Sequence, residues 1–141
     1  MECKNILEDL YDSLIIDLEK SNELKFTKNQ RIEYNLMLIE EIINFKGERR
    51  DLLEKYLSIF LNIFEIYALK YSKKETISFL DSRKHWFIEE QNSNIELINN
   101  SLKQIQIDLL NYSLNNKIFS MKPIANSFSL IFNYYLKSSK E

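Results

Sequence analysis

The chain has one glycine, Gly47, one proline, Pro123, and no valine at all. That combination limits the possible folds more than any motif does. Tight β-hairpins need residues that accept positive φ or preset a turn, and this chain offers almost none. Sheets also favour β-branched side chains, yet valine is missing and threonine occurs only as Thr27 and Thr76. Isoleucine is plentiful and shares the preference for strands, so periodicity has to decide.

Periodicity reads as helix throughout. From about Lys4 to Lys20, Leu7, Leu10, Tyr11, Leu14, Ile15 and Leu18 recur at helical spacing, with acidic residues opposite. A second helix opens at a capping box, Thr27 with Gln30, and carries the stripe Ile32, Leu36, Ile39, Ile42 and Ile43. Gly47 is placed to end it in a left-handed conformation. The third helix, about 48–71, is apolar over most of its circumference, with Glu54, Ser58, Asn62 and Glu65 as a narrow polar strip. A helix of that kind is touched by several neighbours, so it is the expected centre of the fold. Ser72 with Glu75 and Ser93 with Glu96 are further capping boxes, opening a fourth helix to about Gln91 and a fifth that weakens at Asn115 and Asn116. Ser120 and Pro123 suit the start of a sixth, whose stripe is Ile124, Phe128, Ile131, Phe132 and Tyr135. The expected fold is therefore all-α: a single-domain bundle over 1–141 of five to six helices around the third, with a frayed tail at about 137–141.

With 141 residues, 45% of them hydrophobic, the chain is long enough to bury a core without disulfides. Its one cysteine, Cys3, and one histidine, His85, exclude a CxxC pair or a Cys/His zinc site. The acidic, periodic N-terminus does not have the form of a secretory signal, and the apolar segment 52–71 is interrupted by Glu54, Lys55 and Glu65. The expectation is a cytoplasmic protein with no membrane partner.

Catalytic and metal signatures are weak. Asp81, His85 and Glu89 fall four residues apart on the fourth helix, but ligands in one line on one helix seldom surround an ion. No glycine-rich phosphate loop or nucleophile elbow is present. The chain is read as non-enzymatic, with no cofactor and no metal.

Binding surfaces remain. The formal net charge of −2 argues against a general nucleic-acid binder. Residues 1–20 carry a net charge of −4 and residues 97–141 a net charge of +3. Either the two ends neutralise one another, or the acidic first helix, with Glu8, Asp9 and Asp12, offers a face to a basic partner. On the fourth helix, Phe79 and Trp86 form a second apolar line flanked by Arg83, nearly opposite the stripe Ile77, Leu80, Phe87 and Ile88. That line is either sandwiched inside the bundle or presented to a partner, and Trp and Arg are the types enriched at interface hot spots. The function expected is binding and inhibiting or neutralising another macromolecule, as an immunity protein, antitoxin or anti-defence inhibitor does. A homodimer and a nucleic-acid-associated subunit are the alternatives.

Overall fold

The computed structural model describes residues 3–21 and 25–138. Seven helices follow in chain order: α1 (Cys3–Lys20), α2 (Lys28–Ile43), α3 (Arg49–Tyr71), α4 (Lys73–Ser82), α5 (Lys84–Phe87), α6 (Ile95–Asn115) and α7 (Met121–Ser138). No strand occurs among the described residues. The fold is all-α, and the added helix arises because the expected fourth helix breaks at Arg83 into α4 and the single turn α5. Lys137 and Ser138, assigned to the tail, are still helical, and the rest of the tail lies outside the described residues.

α3 is the centre. It packs against α1, α2 and α4, and its aromatic side chains reach α7 and α5. Phe60 lies 5.2 Å from Phe128 and 6.0 Å from Phe132, and Phe64 lies 5.7 Å from Phe87, ring centre to ring centre. Tyr11 of α1 extends this chain of rings at 5.0 Å from Phe87. The apolar core draws on all seven helices. Among the described residues no helix is long and apolar enough to cross a membrane.

Local chemistry explains most of the helix ends. The Thr27–Gln30 box forms in full: Thr27 Oγ1 accepts from the Gln30 N–H at 3.2 Å, and Gln30 Oε1 accepts from the Thr27 N–H at 2.9 Å. Ser72 caps α4 by accepting from the Glu75 N–H, and it also terminates α3 with φ 90°. Asn116, at φ 58°, closes α6 in the left-handed conformation. Two expectations fail. Asn94, not Ser93, caps α6, because it is the Asn94 side chain that reaches the Leu97 N–H, at 2.9 Å. Gly47 is not a left-handed stop: α2 ends at Ile43 with Asn44 as its cap, and no glycine has positive φ. What Gly47 supplies is room, since a Cβ there would sit 2.7 Å from the ring of Phe45.

The polar strip on α3 is partly buried. Asn62 and Glu65 are buried rather than solvated. Arg31 of α2 pairs with Glu65 at 3.1 Å, their side chains 12% and 10% exposed. Arg31 also donates to Asn62 Oδ1, and the Asn62 amide returns a hydrogen bond to the Arg31 carbonyl at 2.7 Å. Ser21 donates to the second Glu65 oxygen at 3.1 Å. Almost every charge-bearing atom is thus satisfied, which is the condition under which a buried pair is tolerated.

Candidate partner-binding surface

The break between α4 and α5 creates the surface. Arg83 leaves helical geometry at φ −122°, ψ 19°, its N–H donating to the Leu80 carbonyl at 3.0 Å. Phe87, fully buried against Tyr11, Phe64 and Phe128, pins the following turn to the core. With Phe87 facing inward, Lys84, His85 and Trp86 are left wholly or partly at the surface.

Arg83 joins the two aromatics that the sequence placed on one line. Its guanidinium lies 4.3 Å from the centre of the Phe79 ring and 5.5 Å from that of Trp86. Lys122 of α7 sits 5.1 Å from the same Trp86 ring. Beneath, Phe79 stacks on Tyr67 at 6.5 Å with 19° between planes. Phe79 and Trp86 are therefore half-buried: part of each side chain packs on the core, and cations lie over the rings. The expected alternatives, sandwiched or presented, each describe part of these side chains. Every cation–π contact of this exposed kind contributes about 0.5–1 kcal/mol, and together they fix long, otherwise flexible heads in place.

The acidic residues of α1 meet the same region through Lys84. Its ammonium lies 2.8 Å from a Glu8 oxygen and 3.0 Å from an Asp12 oxygen. Hydrogen bonds to Glu8 first, then Asp12, raise the Lys84 pKa above its ordinary value of 10.5. Five of the six proposed residues, Glu8, Asp12, Phe79, Arg83 and Trp86, thus gather around α5. Asp9, one position round the helix, is exposed apart from that cluster. Two of the three carboxylates offered to a basic partner already hold a lysine of their own chain.

His85 is exposed, its ring edge-on to Trp86 at 6.1 Å. Asp81, His85 and Glu89 share no helix, since α4 stops at Ser82 and α5 at Phe87. Among the described residues no cluster of three acidic, histidine or cysteine side chains could hold a metal ion. At the aromatic-rich end, Phe128 and Phe132 are core, and Tyr134 packs edge-on against Tyr135 at 5.0 Å.

A groove of about 960 Å³ opens beside Arg83, between the end of α3, α4 and the link from α6 to α7. Tyr67, Tyr71, Phe79 and Phe119 supply its apolar surface, with Lys74 and Arg83 on the rim and Glu75 as its one carboxylate. Thr76 also lines it, 1% exposed, with a hydroxyl that has no hydrogen-bond partner. Sequence reading missed Lys84, Lys122 and this groove, because each joins elements distant in sequence and none lies on a helical stripe. Comparison with protein-family models, curated proteins and solved structures finds no match to this chain.

Proposed function

We propose that this chain is a cytoplasmic, non-enzymatic protein that binds another protein and blocks it, as an immunity protein or antitoxin does. The contact face is the one built around Phe79, Arg83, Lys84 and Trp86. The observation carrying this reading is the stack of Arg83 and Lys122 on Trp86, with Arg83 shared by Phe79. Rigid aromatic bodies with fixed cationic heads have the composition of an interface hot spot, and such residues dominate binding energy where they occur. Capture of the partner by the tagged full-length chain tests it. Arg83→Glu with Trp86→Ala is expected to weaken capture roughly tenfold or more, at unchanged helix content. Undiminished capture by that variant sinks the reading.

A second reading, self-association, rests on a different observation. Ile107, Leu110 and Leu114 stand on the outer side of α6, 50%, 48% and 84% exposed. A lengthwise apolar strip on a helix whose other face is fully packed suits a second copy. Under this reading, mass in solution rises with concentration, and Leu110→Lys with Leu114→Lys leaves a monomer. A monomer at every concentration removes it.

A further inference from the structure

Resting on the partner-binding reading, we infer that the groove between α4 and the α6–α7 link docks an acidic segment of the partner, an apolar side chain seated among the aromatics and its flanking carboxylates on Lys74, Arg83 and Lys122.

Charge supplies the first argument. The chain is net acidic, yet the groove and its border gather Lys74, Arg83 and Lys122 against Glu75, with Glu89 in the adjoining hollow beside Trp86. None of those three cations is paired with a carboxylate among the described residues. Arg31, Lys55 and Lys84, by contrast, each hold a carboxylate of the same chain. Unpaired cations around an apolar groove, two of them held over rings, match an anionic ligand with an apolar element.

Depth supplies the second. Thr76 carries a buried hydroxyl with no partner, and it lines the groove. That hydroxyl is itself closed off, so what the groove offers a ligand is the apolar seat of Tyr67, Tyr71, Phe79 and Phe119.

The rings decide between an acidic peptide and a nucleic acid. Stacking a base needs an open aromatic face. Phe79 is held between Tyr67 and Arg83, and Trp86 carries both Arg83 and Lys122. Cations thus lie over the rings a base would use, and neither Arg83 nor Lys122 has a carboxylate partner among the described residues.

The test selects random dodecapeptides displayed on phage against the full-length chain. Enriched sequences are expected to carry an aromatic or aliphatic residue flanked by Asp or Glu. A synthetic peptide of the enriched sequence should change the fluorescence of Trp86, the only tryptophan, and lose roughly tenfold in affinity on Lys74→Glu with Lys122→Glu. Both lysines are exposed, so the variant keeps its fold. Enrichment of basic or uncharged sequences, no enrichment at all, or equal affinity for the double-lysine variant overturns the proposal. Displacement of the peptide by a single-stranded oligonucleotide at equal or lower concentration also overturns it, in favour of a nucleic-acid surface. These outcomes leave Arg83 and Trp86 intact, so the groove can fail while the partner-binding face survives its own test.

Discussion

Asn35 is the residue at which this fold departs most from its own rules. It lies on α2, is completely buried, and neither its amide nitrogen nor its amide oxygen has a hydrogen-bond partner. One turn earlier Arg31 shows the contrasting case, a charge whose Nη1 meets both Asn62 and Glu65, although its Nε is buried without a partner. An unsatisfied buried amide costs about 1–3 kcal/mol, and an apolar replacement of similar shape removes that cost. Asn35→Leu is therefore expected to raise stability by about 1 kcal/mol in a urea titration. A loss of stability of that size would show that the amide serves a partner in solution.

Among the elements, α2 and α3 are held in register by the Arg31 cluster. Removing one member strands the other in a nearly water-free site. Glu65→Ala is expected to cost about 3 kcal/mol, whereas Arg31→Met with Glu65→Leu should cost far less. Equal losses for the single and the double variant would show that the pair is not coupled. This cluster also marks how far the sequence could be read. The stripe of α1, most of that of α2, the central apolar α3, the Thr27 box and the end of α6 at Asn115 are visible in spacing and cap residues, which act locally; Ile43, placed on the α2 stripe, is 57% exposed at the helix end. Asn62 and Glu65 are legible in sequence only as part of a polar strip, because their partners, Arg31 and Ser21, are supplied by chain far away in sequence. The break at Arg83 has no local signal either. Tertiary packing of Phe87 imposes it, and so the Phe79 and Trp86 line was visible while the cations lying over it were not.

Across the whole molecule, the buried tyrosines set an alkaline limit. Burial is the leading cause that pushes the Tyr11, Tyr56 and Tyr67 phenols up from their ordinary value of 10.0. Unfolded chains ionise these groups near pH 10, while the folded state holds them neutral. Stability is thus complete below about pH 10 and falls as pH rises beyond it. Melting followed by circular dichroism should drop steeply above pH 10, with phenolate absorbance appearing together with the loss of helix. Tyr67→Phe should soften that fall, and an unaltered profile in Tyr67→Phe would remove Tyr67 from the set. The same residue lines the groove, whose other wall, α4, follows α3 after one intervening residue, Ser72. A joint of one residue, capping one helix and closing the other, leaves no loop to swing. Lys73 adds a tether, reaching the carbonyls of Glu19 and Ser21. The α6–α7 link opposite is held by the Tyr67 hydroxyl, which donates to the Phe119 carbonyl, so a ligand arriving there meets walls that do not open or shut. Association should follow a single exponential whose rate grows linearly with ligand concentration, without the plateau that a gate imposes.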